Sequence, residues 1–158
     1  MKKQLKSFGC AIRGFFGAVC SEGHLRFHLV AAFYVLLFSL FYNFSAAQTS
    51  ILIILIAAVI AAELFNTALE NACDAVTTEQ NEFIKRAKDI SAGAVLTLSA
   101  AAVAVAVLFF WNFEAIKSIF AYFSQNIHML AFLIISAVLA VIFVIPGPKK
   151  IIEFFKKH

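Results

Sequence analysis

Charge is what this 158-residue sequence has least of. Only 14% of its residues are Asp, Glu, Lys or Arg, against about 25% in an ordinary soluble domain. Two prolines and six glycines leave little material for loops. Three cysteines are too few for a disulfide scaffold, and the spacing of Cys10, Cys20 and Cys73 matches no zinc site. There is no Walker sequence and no glycine-rich kinase loop. These shortages exclude a disordered chain, a disulfide-stapled module and most soluble folds. What fills the space is apolar: 63% of the residues, where about 45–50% is usual. Such a composition implies an integral membrane protein whose spanning backbone groups pair internally. The apolar stretches are too long and unbroken for the alternating strands of a porin-type barrel. The spans are therefore helices, and the fold class is all-α.

The first residues are basic, but Arg13 interrupts any signal-peptide core. Leu5, Phe8, Ile12, Phe15, Phe16 and Val19 instead share one helical face, with Lys2, Lys6 and Arg13 mostly elsewhere. That pattern predicts an amphipathic surface helix over 2–26, lying in the membrane interface. Four uncharged or nearly uncharged stretches follow, at 29–47, 49–69, 92–111 and 129–145. Each meets the roughly 17–25 residues that a spanning helix needs. Residues 113–123 read as a second interfacial segment, with Glu114 and Lys117 embedded in it. Pro146 and Pro148 stop the last helix. The expected organisation is a core of residues 1–111 and an appended part of residues 112–158, ending in a basic tail.

The basic residues set the orientation. Twelve of the thirteen Lys and Arg precede the first span, separate the second from the third, or follow the fourth. Lys117 alone lies on the other side. Lys and Arg collect in the cytoplasm, so both termini are expected there. The net charge of +4 then reflects anchoring to anionic lipid, not nucleic-acid binding. All three cysteines fall on this reducing side and read as small buried apolar residues. His24 and His28 read as amphipathic residues of the interface.

The informative polar residues sit within the second span. Glu63, Asn66, Glu70 and Asp74 lie within about 80° of one another on a helix. They form a stripe that starts in hydrocarbon and runs out at the cytoplasmic end. With the span ending near Leu69, Glu63 lies about 9 Å below the surface. An ionisable group there costs roughly 2.5–3.5 kcal/mol on insertion scales. The stripe must therefore face helices, a cation or water. Glu22 and Arg26 precede the first span, and Lys88 and Asp89 the third, so they are expected at the same depth, with Lys85 and Arg86 beside them. Carboxylates at an interface suit Mg²⁺ held by one or two protein oxygens plus phosphate oxygens, and the cations suit phosphate. Glu63, deeper and less solvated, suits a general base acting on a group presented from the lipid. For Glu22 with Arg26 an ordinary i, i+4 helix pair remains open, and for 85–89 a solvated loop.

The segment Glu63-Leu64-Phe65-Asn66-Thr67-Ala68-Leu69-Glu70, with Asp74 after it, resembles the signature of the small prokaryotic lipid kinases, the diacylglycerol and undecaprenol kinases. Ala87-Lys88-Asp89 followed by Ser91-Ala92-Gly93-Ala94-Val95 resembles their second motif, and Glu22-Gly23-His24-Leu25-Arg26 their first. Arg13-Gly14 and Gly17-Ala18 resemble the small-residue surface helix that precedes it. The resemblance covers roughly residues 5–111. It implies transfer of the γ-phosphate of ATP to the hydroxyl of a membrane lipid. It also implies a homotrimer of three-span subunits in the bacterial plasma membrane, with composite sites at the cytoplasmic surface. By position it implies Glu63 as catalytic base, Glu22 and Glu70 as holders of Mg²⁺ and nucleotide, and Lys88, Asp89, Glu79 and Asn81 near the nucleotide. Asn66, Arg26, Asp74 and Ala92 would support the lipid side. Phe27-His28-Leu29 and Ala92-Gly93-Ala94-Val95 look closer to the undecaprenol branch, since the diacylglycerol branch tends to carry an acid where His28 stands. Residues 112–158 depart from the family, which usually ends after the third span. The added helix carries no intramembrane acid and is expected at the periphery. Two rival classes are a small proton-coupled exporter, with Glu63 as carrier, and a non-catalytic membrane scaffold.

Overall fold

The computed structural model describes residues 2–76, 79 and 81–148. They form six helices and, among the described residues, no strand: α1 (Lys2–Ser21), α2 (Gly23–Ser39), α3 (Ala46–Val76), α4 (Glu82–Phe110), α5 (Phe113–Gln125) and α6 (Ile127–Val144). The basic tail expected after the fourth span lies outside the described residues. α3, α4 and α6 are long and apolar enough to cross a membrane, and α2 is a shorter apolar helix of 17 residues.

Several boundaries differ from the sequence reading, and two of them move residues between elements. The helix expected over 2–26 stops at Ser21, because Glu22 adopts an extended backbone (φ −100°, ψ 118°) and becomes the N-cap of α2. Arg26 therefore belongs to α2 and not to the surface helix. The span expected over 29–47 is shifted to Gly23–Ser39, and the chain turns through residues 40–45. A reciprocal cap sets the far side of this turn. The backbone N–H of Gln48 donates to Ser45 Oγ at 3.3 Å, and that of Ser45 donates to Gln48 Oε1 at 2.9 Å. This capping box satisfies amide groups that a helix start leaves unpaired. It begins α3 at Ala46, where periodicity alone shows only continuing apolar sequence.

α3 and α4 form an antiparallel hairpin. With 31 and 29 residues, they are about 46 and 43 Å long. A hydrocarbon core is only about 30 Å thick, so several turns stand outside it. The Asn81 side chain starts α4 by accepting from the backbone N–H groups of Phe83 and Ile84, and Glu82 follows in the first turn. Both features satisfy or complement the positive end of the helix. At the opposite end Tyr42 stacks on Phe44, Phe110 meets both rings edge-on, and the Tyr42 hydroxyl donates to the Phe110 carbonyl at 3.0 Å.

The appended helices fold back onto α2. Phe41 packs against Tyr122 and the buried Phe123 of α5. Tyr34 and Ser136 share a hydrogen bond of 3.1 Å between α2 and α6. Among the described residues the apolar core is small: Val19, Leu25, Leu52, Val59 and Phe123. α4 and α6 bury no residue at all, as lipid-facing helices need not.

Candidate active site

The polar stripe of α3 lies as its spacing predicts, and one turn sets each member apart chemically. Glu63 is 4% exposed, and Thr67, four residues on, is buried beside it. From α2, His28 Nε2 reaches Glu63 Oε1 at 3.1 Å. His28 is thus tied to the stripe's deepest carboxylate, where sequence reasoning placed it at the interface. The available signal was depth: His28 lies five residues into α2 and Glu63 six before Leu69. Counted from the same end, both are about 7–9 Å inward.

One turn above Glu63, Asn66 Nδ2 donates to Glu70 Oε1 at 2.9 Å. The Ser91 hydroxyl of α4 donates to Asn66 Oδ1 at 2.5 Å and lies 3.0 Å from the Lys88 carbonyl. The Asn66 amide is thereby oriented from both sides, with its nitrogen turned to Glu70. Ser91 belongs to the second motif, and its role as the strut behind Asn66 is visible only once α3 and α4 are paired. Higher still, Lys88 bonds Asp74 across the hairpin. That hydrogen bond, reinforced by the Asp74 charge, holds the exposed Lys88 ammonium above its ordinary pKa. Asp89 is exposed on α4, and Ala92 is exposed one turn further along.

Arg26 takes an unexpected position. It is 6% exposed and makes no ion pair with Glu22 among the described residues. Its guanidinium donates to the carbonyls of Val19 and Cys20 at the end of α1, and to Val144 at the end of α6, at 3.0, 3.3 and 3.3 Å. These are helix C-termini, whose unpaired carbonyls attract a cation. The i, i+4 pair considered for Glu22 and Arg26 is therefore not formed. Glu22 is half-buried at the start of α2, and Glu79 is exposed between α3 and α4. Asn81, expected near nucleotide, spends its side-chain oxygen on the cap of α4.

No group of three His, Cys, Asp or Glu close enough to enclose a metal occurs among the described residues. The donor chemistry still fits Mg²⁺, which takes one or two carboxylates and completes its shell with water and phosphate. Glu70 meets that requirement, since Asn66 orients its carboxylate by one oxygen.

Two cavities flank the stripe. One, of about 290 Å³, runs between α2, α3 and α4 and is lined by His28, Ala32, Leu52, Ile56, Ser99 and Ala106, among others. The Ser99 hydroxyl is buried there without a hydrogen-bond partner. The other, of about 570 Å³, lies between α1 and α3. Gly14, Gly17, Ala18 and Ser21 line it opposite Thr67 and Asn71. A methyl group built at Gly14 or Gly17 would meet nothing within 4 Å, so the cleft is open at both.

The family model for prokaryotic diacylglycerol kinase matches residues 9–110. The chain is 32% identical over 110 residues to an undecaprenol kinase of Bacillus subtilis (strain 168), covering 70% of this chain and 89% of the relative. No solved structure gives a significant match. The family match ends where α4 ends, so α5 and α6 lie beyond it.

Proposed function

The chain belongs to the prokaryotic diacylglycerol kinase family and is a lipid kinase, a phosphotransferase acting on an alcohol; from that premise we propose that its acceptor is undecaprenol and that ATP, with Mg²⁺, is the donor. The observation that carries the acceptor end is the buried Glu63, bonded to His28, which lines an apolar cavity between α2, α3 and α4. A long isoprenoid chain suits such a cavity between spanning helices, and only its hydroxyl needs polar contact. The similarity to an undecaprenol kinase supports the same choice. Membership in a kinase family leaves no role for the exporter or the scaffold.

In this reading Glu63 takes the proton of the lipid hydroxyl as its oxygen bonds to the γ-phosphorus. The bond from that phosphorus to the bridging oxygen breaks, and ADP leaves with the electron pair. Glu70 and Glu22 would hold Mg²⁺, which neutralises phosphate charge when bound. Asn66 and Ser91 keep the Glu70 carboxylate in one orientation. Lys88 and Asp89, with Glu79 and Asn81 nearby, form the nucleotide side, at the cytoplasmic surface. Asp74 holds Lys88 in place, and Ala92 leaves room beside it. The depth order suits the reaction: hydroxyl below, phosphates above. Among the described residues no hydrogen bond or ion pair joins Glu22 to the α3 stripe; in the homotrimer that the family resemblance implies, another copy would complete the site.

The experiment is transfer of labelled phosphate from Mg·ATP by the purified protein in mixed micelles, with undecaprenol and diacylglycerol offered side by side. Labelled polyprenyl phosphate is the expected product. Labelled phosphatidic acid in its place assigns the diacylglycerol acceptor and overturns the undecaprenol reading.

A further inference from the structure

Glu63 is held by a side chain from a different helix. The His28–Glu63 contact, 3.1 Å long, leaves the carboxylate 6% and the imidazole 19% exposed. A base must be ionised to act, and an ionised carboxylate only accepts, so in the proposed role Nε2–H is the donor of this contact. The bond uses Oε1, which leaves Oε2 to meet a reacting hydroxyl.

No neighbouring polar group does this work. Arg26, half a turn away on α2, gives its donors to Val19, Cys20 and Val144. Asn66 serves Glu70, and Lys88 serves Asp74. Among the described residues His28 is the side chain bonded to Glu63. It also lines the cavity between α2, α3 and α4, together with Val59 and Ile60, which directly precede the Glu63 turn. His28 therefore touches both the carboxylate and the space left for an acceptor chain.

We propose that His28 is a positioning residue for phosphoryl transfer: its Nε2–H fixes Oε1 of Glu63, so that Oε2 faces the hydroxyl of a lipid alcohol whose chain lies in the adjoining cavity. The inference rests on the reading of Glu63 as the base. A carboxylate on a helix otherwise turns freely about its last torsion. In an intramembrane site no bulk water re-orients it. A bond from a second helix ties its orientation to the packing of α2 on α3. Glu63 is buried and the His28 imidazole is mostly covered, so water competes little for the bond.

The test measures kcat and the KM values for ATP and undecaprenol with the full-length protein in mixed micelles. The variants are His28→Ala, His28→Gln, His28→Asn and Glu63→Gln. His28→Ala is expected to lower kcat by about 100-fold, the scale of a misplaced reacting group. The KM for ATP should stay within about two-fold, because uniform binding is untouched. In His28→Gln the amide nitrogen reaches the position of Nε2, and kcat should recover to within about ten-fold of the parent. The shorter His28→Asn cannot reach Glu63 and should behave like His28→Ala. Gln and Asn are both polar and uncharged, so a merely structural role would not separate them, and their contrast decides the matter even if His28→Ala fails to fold. Equal kcat in His28→Gln and His28→Asn overturns the proposal. So does a His28→Ala enzyme at parental rate beside a dead Glu63→Gln, an outcome that leaves the reading of Glu63 standing. An active Glu63→Gln removes the base assignment and this inference together.

Discussion

Glu63 and Glu70 are both glutamates of one helix face, seven residues apart, and their surroundings differ. Glu63 is sealed between α2 and α3 with an imidazole as partner. Glu70 is half-exposed with an amide as partner. Removing the deeper carboxylate should remove the proton acceptor alone. Glu63→Gln is therefore expected to cut turnover by at least about 100-fold, while nucleotide binding, followed by equilibrium titration, persists. Near-parental turnover would show that another group takes the proton. Glu70→Gln should act on the metal requirement. Its Mg²⁺ titration midpoint is expected to rise about ten-fold or more, since a neutral amide is a poorer ligand for a hard cation. An unmoved midpoint would take Glu70 out of the metal site. The Asp74–Lys88 pair lies outside the buried region. Because the Lys88 pKa is raised on folding, its small contribution is present in full below the ordinary lysine value and fades as pH rises through the shifted one. The pair is thus intact at neutral pH.

At the scale of elements, the end of α6 is tightly constrained. Gly147 has φ +70°, and a Cβ there would lie 2.7 Å from the Arg26 guanidinium carbon. The guanidinium cannot swing away without abandoning three carbonyls. Gly147→Ala should therefore destabilise by about 2 kcal/mol or more, from backbone strain and displaced packing together. Thermal unfolding in micelles would read this as a lower Tm. Gly93→Ala is the natural control. A methyl there meets nothing within 4 Å and sits inside a helix, where alanine is favoured by about 0.5–1 kcal/mol. Equal Tm changes in the two variants would contradict the latch between Arg26 and the α6 terminus.

At the scale of the molecule, α5 and α6 lie beyond the family match and fold back onto α2. The family match covers α1 only in part and stops at Phe110, yet α6 runs back along α2 to the level of Arg26. A chain ended after Trp111 is expected to retain phosphate transfer, because Glu63, Asn66, Glu70 and Lys88 all lie within the matched region. It should unfold at a lower temperature, having lost the Tyr34–Ser136 and Arg26–Val144 bonds. Loss of transfer in a folded truncation would place α5 and α6 within the catalytic unit. Most large apolar side chains of α4 and α6 face outward. Lipid or further copies of the chain must cover them.

The sequence by itself determined the class of the molecule. Low charge and long apolar runs permit only helices in a membrane, because a spanning backbone must pair internally. It also determined the stripe from Glu63 to Asp74, since helical periodicity is a local property and needs no knowledge of neighbours. Element ends were less legible: the turn at 40–45 and the break at Glu22 are set by one capping box and one extended residue, not by hydropathy. What only the tertiary structure decided are the pairings between helices. His28 with Glu63, Ser91 with Asn66, Lys88 with Asp74 and Arg26 with the end of α6 join residues from 14 to 118 positions apart. No spacing rule encodes such contacts. They follow from the angle and register at which helices pack, which are set by the summed fit of many side chains.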